Sequence, residues 1–381
     1  MPEPKKIVII GSAHPLRGGL ASFNERLGHA FQEEGATVSI YTFSLQYPSF
    51  LFPGKSQYSS EPAPKDLDIR VTINSMNPFN WIKYGLKIKK LKPDLVIIKF
   101  WIPFMGPCLG SLARLIRSNK HSKVVTIIDN IIPHEKRPGD RMLAKYFSGS
   151  VHAFVAMSRS VLEEIDLFDQ KKPRVYCPHP LYDNFGSAIN KAQATAALKL
   201  DPNVRYVLFF GFIRDYKGLD ILLDAFARPE LRESNIKLLV AGEFYTNEKP
   251  YLDQISKNDL SAKLELHTDF IPDSEVYKYF CAADLVVQPY KSATQSGVTQ
   301  IAYHFDKPMV ITNVGGLGEF VPDGKAGFVV EPEAQAVAKA ISRFYNENLE
   351  AMMVENVKEL KKQYAWSRMT KAIWDLVSTD K

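Results

Sequence analysis

Short apolar runs alternate with stretches of helical periodicity along most of the chain. The clearest case begins with the apolar run from Tyr206 to Phe210, which stops at Gly211. After a polar turn, apolar residues return at helical spacing, at Leu219, Leu222, Leu223 and Phe226. A short run of β-branched and aromatic residues is typical of a buried parallel strand, and the 3.6-residue period is typical of an amphipathic helix. The stretch therefore predicts a strand, a glycine-flanked loop and a helix.

The same alternation recurs on both sides of a proline-rich break at 178–180. Further strands are predicted at 6–11, 37–42, 94–99, 124–128, 151–157, 175–177, 237–241, 264–266, 285–288 and 308–312. Strands that alternate with helices indicate an α/β fold with parallel sheets. The mixed polar composition after the break is typical of a linker between domains, so we expect a hinge near 180–190.

Composition and charge narrow the class of protein. A chain of 381 residues, 45% hydrophobic and 24% charged, is long enough for two globular domains. The net charge of +6 comes without arginine-rich runs, so we expect no nucleic-acid partner. Three scattered cysteines predict reduced thiols in a cytoplasmic protein, without a metal site. No window reaches the roughly 18 apolar residues of a spanning helix, so any membrane contact should be peripheral.

The loop after the strand at 206–210 carries the first candidate chemistry. Gly211, Arg214 and Lys217 stand between a strand and a helix start. In open α/β sheets such loops border the ligand crevice, and free N–H groups at a helix N-terminus favour an anion. Two cations beside those amides suit a diphosphate. The alternative is that both are ordinary solvated surface cations.

A second loop, after the strand at 285–288, has complementary features. Small hydroxyl residues precede a glycine at a helix start, which is typical of N-cap chemistry that leaves amides open to phosphate oxygens. The candidate donor-binding residues here are Thr294, Gln295, Ser296, Gly297, Val298 and Thr299.

In the first half, Gly18 and Gly19 precede a helix, but the loop is not G-x-G-x-x-G, so it lacks the dinucleotide-binding pattern. Asp129 ends a strand, and His134 lies five residues on. A carboxylate and an imidazole at such a strand end can orient an acceptor hydroxyl or take its proton. The alternatives are a plain turn at the two glycines and local hydrogen bonding at Asp129.

The ordered motifs G-x-x-R-x-x-K-G, FIPDSEVYKYFCAADLVVQPY and KPMVITNVGGLGEFVPDGKAGFVV resemble the C-terminal domain of family 4 glycosyltransferases, which have the GT-B fold. The resemblance implies two Rossmann-like domains facing a central cleft. It implies an acceptor-binding domain at 1–182 and a nucleotide-sugar-binding domain at 183–365. The final helix at 366–381 is expected to return to the first domain and bury Trp374 and Leu376.

The resemblance also implies an activity. It is transfer of a hexose from a nucleotide diphosphate sugar to a hydroxyl acceptor, either a glycan or lipid-linked, with retention at the anomeric carbon and without a metal or other cofactor. By the same resemblance, Gly18 and Gly19 would approach the donor phosphate and sugar. Phe270 and Ile271 would hold the base, and the region near Asp129 and His134 would serve the acceptor.

The chain departs from the family at two places. Family 4 enzymes usually carry two glutamates around the strand–helix junction at 292–303, where this chain has none, so neutral side chains, including Gln300, would have to bond the same hydroxyls. Phe212 stands where an arginine often follows the loop glycine. The rival functions are a non-catalytic sugar-nucleotide-binding protein, a nucleotide-sugar epimerase or phosphorylase on the same fold, and a dinucleotide oxidoreductase, which the missing fingerprint disfavours.

A lysine-rich helix at 81–92 offers a further partner. Lysines at 83, 87, 89, 90 and 92 alternate with apolar residues, a pattern found in helices that rest on anionic membranes. Taken alone, the helix is better interpreted as an ordinary solvated helix, and a lipid-linked acceptor would favour the membrane surface instead.

Overall fold

A computed structural model describes residues 4–48, 56–132, 137–293 and 296–378 of the chain. The chain divides into two compact units, one of residues 1–180 with 365–381 and the other of residues 181–364. The sequence placed these breaks at 182/183 and 365/366, within two residues of the observed ones.

The first unit is built on a sheet of seven parallel strands in the order β3-β2-β1-β4-β5-β6-β7. The strands are β1 Lys6–Ile10, β2 Thr37–Leu45, β3 Asp68–Asn74, β4 Leu95–Phe100, β5 Lys123–Ile128, β6 Ala153–Ala156 and β7 Arg174–Tyr176. The helices that connect them are α1 Gly19–Glu33, α2 Pro78–Leu91, α3 Gly106–Arg117, α4 Asp140–Ser148 and α5 Arg159–Asp166. The central strand β4 is buried along its whole length, as expected of a parallel strand covered on both faces.

The second unit repeats the architecture with six parallel strands in the order β10-β9-β8-β11-β12-β13. The strands are β8 Arg205–Phe210, β9 Ile236–Ala241, β10 Leu264–His267, β11 Leu285–Gln288, β12 Met309–Thr312 and β13 Gly327–Val330. The helices are α6 Lys191–Ala197, α7 Leu219–Phe226, α8 Pro229–Arg232, α9 Lys249–Lys257, α10 Val276–Ala282, α11 Gly297–His304, α12 Ala334–Asn346 and α13 Glu350–Leu360. The strand order reverses between β8 and β11, and ligands of doubly wound sheets bind at the carboxyl ends beside such a point.

The last helix, α14 Trp366–Ser378, belongs to the first unit, where it packs on α1 and on the β5–β7 side of the sheet. Its buried side chains are Trp366, Met369, Thr370 and Ile373. The expectation that Trp374 and Leu376 are buried was wrong, since both are only half-buried. Trp374 does contact the unit, with its ring edge-on to Phe31 at 5.9 Å between centroids.

Cys108, Cys177 and Cys281 are all free and buried. Burial raises the pKa of the Cys177 thiol to about 11, which keeps it protonated. In the part of the chain that the structure describes, no helix has both the length and the apolar character needed to cross a bilayer.

Candidate functional site

The loop between β8 and α7 places a lysine inside the second unit. Gly211 follows β8 with a φ of 97°, which a glycine adopts without strain, and the turn Asp215–Lys217 is a short 3-10 helix. A side-chain carbon on Gly211 would lie 2.9 Å from Lys217 Nζ and 3.7 Å from a methyl carbon of Val298. The ammonium group of Lys217 therefore lies over the Gly211 backbone, beside the first turn of α11.

Lys217 is a buried cation without an anion. Its side chain is only 9% exposed. Within the four described ranges, no carboxylate lies within 4.0 Å of it, and the nearest charged neighbour that acts on it is Arg214, which is also positive. Burial, together with Arg214, lowers the pKa of Lys217 to about 7 from its usual 10.5. Such a group gains from any anion that enters the site.

The N-terminus of α11 supplies main-chain donors at the same place. Ser296 occupies the N-cap position, but its side chain does not cap the helix. Instead, its hydroxyl pairs with the buried Tyr290 hydroxyl at 3.2 Å. Gly297 is required here because a side-chain carbon would come within 2.7 Å of the Tyr182 ring. An uncapped helix start beside Lys217 is a suitable site for phosphate oxygens.

The side chains of α11 divide between the core and the site. Thr299 is fully buried, and its hydroxyl donates to Gln288 Oε1 at 3.1 Å, so only its main chain can serve a donor. Gln300 is 1% exposed, and no described residue bonds either polar atom of its amide. A buried amide left unpaired costs free energy unless a ligand completes it.

Two neighbouring loops hold the Lys217 loop in place. Gly218 has a φ of 70°, and a side-chain carbon on it would come within 1.9 Å of the Pro289 carbonyl oxygen. The Lys291 N–H donates to the Tyr216 carbonyl at 2.7 Å. On the other side, Gly242 packs against the Gly211 carbonyl, with no room for a side chain. The backbone of the Lys217 loop is therefore fixed by contacts within the second unit.

An aromatic stack lies along the same carboxyl edge. Phe212 stacks on Tyr245 with ring centroids 4.2 Å apart and on Phe270 at 6.1 Å. These three residues follow β8, β9 and β10, and the Arg214 guanidinium lies 5.3 Å from the Tyr245 ring. Ile271 is half-buried next to Phe270. The stack joins Phe270, a candidate base-holding residue, to the cationic loop.

The candidate residues of the first unit lie at its own carboxyl edge. Gly18 is the N-cap of α1, with a φ of 94°, and Gly19 is the first residue of the helix. Asp129 follows β5 and is 9% exposed. It accepts a hydrogen bond of 2.9 Å from Lys99 Nζ, which is itself 2% exposed. A salt bridge this well buried ties the Asp129 carboxylate to a partner inside its own unit.

The buried ammonium of Lys99 also contacts an aromatic ring. Its ammonium lies 3.4 Å from the centroid of the Phe23 ring, a cation–π contact. His179 packs edge-on to the same ring, and burial together with Lys99 lowers the pKa of His179 to about 3. His179 is therefore neutral at pH 7. Burial also lowers the pKa of Lys99, while Asp129 opposes that shift.

Each candidate from the sequence can now be placed. The structure brings together Gly211, Arg214, Lys217, Ser296, Gly297 and Val298, with Phe270 and Ile271 on the same sheet edge of the second unit. Gly18, Gly19 and Asp129 belong to the first unit. Three candidates, His134, Thr294 and Gln295, lie outside the described residues. Lys99, Tyr245 and Tyr290 were not foreseen, although a lysine inside the apolar run LVIIKF was a visible signal for the first.

Comparison with known proteins agrees with this geometry. Residues 204–347 match the family model described as "Glycosyl transferases group 1". An uncharacterised glycosyltransferase of Methanocaldococcus jannaschii is 24% identical over 307 residues, which cover 78% of this chain and 80% of that protein. The lipopolysaccharide 1,2-N-acetylglucosaminetransferase of Salmonella typhimurium is 29% identical over 184 residues, which cover 45% of this chain and 48% of the enzyme.

Among solved structures, the Anabaena protein HepE, crystallised with UDP and glucose, superposes with a TM-score of 0.74 at 16% identity. That match covers 98% of this chain and all of HepE. The predicted α/β fold of two Rossmann-like domains is confirmed. The chain is a glycosyltransferase with the GT-B fold, and residues 204–347 of its second unit resemble the group 1 glycosyltransferases.

Proposed function

We propose that the chain transfers a hexose from a nucleotide diphosphate sugar to a hydroxyl of a glycan or lipid-linked glycan, with retention and without a metal ion or other cofactor. The observation that carries the proposal is the buried, unpaired ammonium of Lys217 beside the open N-terminus of α11. Two positive elements that converge on one point, with no anionic partner among the described residues, are complementary to a diphosphate.

The chemistry explains why the cations matter. In the transfer, the bond from the anomeric carbon to the donor's β-phosphate oxygen breaks, the acceptor oxygen bonds to that carbon, and the acceptor proton passes to the departing β-phosphate oxygen. Negative charge grows on the departing diphosphate. Lys217, Arg214 and the α11 amides are fixed where that charge develops, so they stabilise it without first having to rearrange. In this proposal they supply the charge that a metal ion supplies in other transferases.

The donor is proposed to be a uridine diphosphate sugar. HepE, which shares the fold, binds UDP and glucose. In this chain, Phe270 and the ring of Phe212 offer an apolar stack near the cationic loop, where a base would lie. Gln300 is proposed to bond a donor hydroxyl with its unpaired amide, in place of the family's glutamate.

The acceptor side rests on the first unit. Asp129 is already paired with Lys99, so in this proposal it orients the acceptor hydroxyl and does not take the proton. Retention is supported by the resemblance to family 4 enzymes. We place the reaction in the cytoplasm, peripheral to the inner face of the membrane, an environment that suits three reduced, buried thiols.

The first experiment removes the two loop cations. In the Arg214→Ala, Lys217→Ala double variant we expect at least a 10³-fold loss of turnover, because loss of a single preorganised donor costs roughly 10²–10³. The control is Arg232→Ala with Lys358→Ala, which removes the same charge from exposed positions of the same unit. Turnover of UDP-sugars is measured beside circular dichroism, and NMR of the product gives the anomeric configuration. Full activity in the double variant would refute the proposed site.

A further inference from the structure

Helix α2 exposes a row of large apolar side chains. Phe79 is 82% exposed, Ile82 49% and Leu86 41%. Their spacing of three and four residues places them on one face of the helix. The opposite face is occupied, since Gly85 and Ile88 are buried and a side-chain carbon on Gly85 would come within 2.7 Å of Leu115 in α3. The apolar row, which we call the α2 ridge, is therefore not needed for packing within the unit.

Lysines lie beside the ridge. Lys83, Lys87 and Lys90 are exposed and follow the same helical spacing, one strip around the helix from the ridge. The sequence from 69 to 93 contains no aspartate or glutamate. Within residues 4–48, 56–132, 137–293 and 296–378, none of these three lysines has a carboxylate partner. The strip carries uncompensated positive charge.

The ridge begins at the sheet edge that carries the acceptor-side candidates. The Trp81 indole N–H donates to the carbonyl of Asn74, the last residue of β3. Ser75 donates through its hydroxyl to the Gln46 carbonyl, just after β2. The N-terminus of α2 thus lies at the carboxyl ends of the parallel strands, the edge to which Asp129 belongs.

We propose that α2 lies in the surface of an anionic membrane. The α2 ridge is buried at the boundary between the headgroups and the acyl chains, and the lysine strip contacts the lipid headgroups. An apolar row flanked by lysines on a helix of this length is the form that interfacial helices take. The inference rests on the proposed function, because it names the acceptor as lipid-linked and places it at this edge. A second copy of the chain fits the face less well, since a two-fold contact would bring the two lysine strips together.

The test measures binding to vesicles of phosphatidylcholine with about one third phosphatidylglycerol, against vesicles of phosphatidylcholine alone. We expect the wild type to bind only the first kind, and binding to weaken as salt is added. The Lys83→Glu, Lys87→Glu, Lys90→Glu variant should bind about 100-fold more weakly. The Phe79→Ser, Ile82→Ser, Leu86→Ser variant should lose at least about tenfold, because the inserted apolar area is removed.

Two matched controls separate the effect of α2 from the effects of net charge and of exposed apolar side chains in general. Replacing Lys358, Lys362 and Lys371 by Glu also takes the formal net charge from +6 to 0, at exposed lysines on α13, the turn after it and α14. Replacing Leu167, Leu252 and Met352 by Ser removes exposed apolar side chains elsewhere. Both controls should keep vesicle binding within about fivefold. Equal losses in the α2 and control variants would overturn the inference.

A direct reading comes from Phe79→Trp, whose fluorescence should shift to the blue on the anionic vesicles and stay unchanged on the neutral ones. Calorimetric binding of UDP is measured for every variant and should be unchanged. If the wild type binds UDP but not the anionic vesicles, the membrane inference fails and the proposed function stands. If it binds vesicles but neither UDP nor any other nucleotide diphosphate, the proposed function fails instead. A ridge variant that converts a dimer to a monomer would identify the ridge as a self-contact and overturn the inference.

Discussion

The two units each bury a lysine near the carboxyl edge of a parallel sheet, and the two lysines are used differently. Lys99 in the first unit has Asp129 at 2.9 Å and the face of Phe23 at 3.4 Å. Lys217 in the second unit has a glycine backbone, a helix N-terminus and another cation for neighbours, with the Tyr290 ring farther off at 5.7 Å. A buried charge is tolerated only when something compensates it. Lys99 is compensated within the fold, whereas Lys217 needs an external anion to stay charged above pH 7.

Replacing each lysine by methionine tests this contrast most strongly. Lys99→Met leaves Asp129 buried without its cation, so we expect a loss of about 3–5 kcal/mol in unfolding free energy at pH 7. Lys217→Met removes an uncompensated buried amine, so its unfolding free energy should stay the same or rise. Urea denaturation of both variants is the measurement.

Two further variants check the cause of the Lys99 effect. The Lys99→Met, Asp129→Asn double variant should regain most of the loss, because no buried charge remains. Lys5→Ala, which breaks a surface pair with Asp94, should cost about 1 kcal/mol or less. Equal destabilisation by Lys99→Met and Lys217→Met would end the distinction between the two lysines.

The pH dependence of nucleotide binding gives the next largest effect. Without ligand, the pKa of Lys217 is about 7, so the amine is largely neutral at pH 8 and must take up a proton when a diphosphate binds. We expect the Kd for UDP to rise about tenfold per pH unit above pH 7, with proton uptake visible by calorimetry in buffers of different ionisation enthalpy. In Lys217→Met the slope should vanish. A flat profile in the wild type would show that Lys217 keeps its proton without ligand.

Stability responds to the same group with a definite sign. The pKa of Lys217 is lower in the folded chain than its usual 10.5, so between pH 7 and 10.5 the unfolded chain binds more protons. The contribution of Lys217 to the unfolding free energy therefore increases as the pH rises through that window and is constant below it. Lys217→Met should lack this contribution.

The smallest expected effect concerns Gln300. Its amide is buried without a partner among the described residues, so Gln300→Leu should leave the ligand-free protein equally or more stable, by up to about 1 kcal/mol. UDP-sugar binding should weaken by about tenfold, because a hydrogen bond to the donor is lost. Thermal melting with and without UDP-sugar measures both. A lower melting point without ligand would show that the amide already has a partner inside the fold.

The sequence predicted elements whose signal is local and missed those whose signal comes from elsewhere in the fold. Strand β8, its glycine loop and α7 were visible because the apolar period changes at Gly211. Strand β3 was missed because, as an edge strand, it buries only Ile73 and shows no apolar run. Strand β13 was missed because it begins at a glycine and only its first two residues are buried, so its apolar run is short.

The same division holds for the site. Arg214 and Lys217 could be found because a strand–loop–helix places both beside a helix start. Other contacts depend on which strands are neighbours, which no local pattern reveals. Examples are the hydrogen bond from the Thr299 hydroxyl to Gln288 and the pairing of Lys99 with a residue 30 positions away. That no carboxylate of the described part of the chain pairs with Lys217 is likewise a property of the packed unit.

The close contact of Gly218 with the Pro289 carbonyl limits how this domain can be re-engineered. The loops after β8 and β11 pack closely against one another at this contact. Transplanting one of them from a relative with a different donor would therefore open a gap or create a clash at the other. A chimaera that exchanges the segment after β8 should therefore exchange the segment after β11 with it.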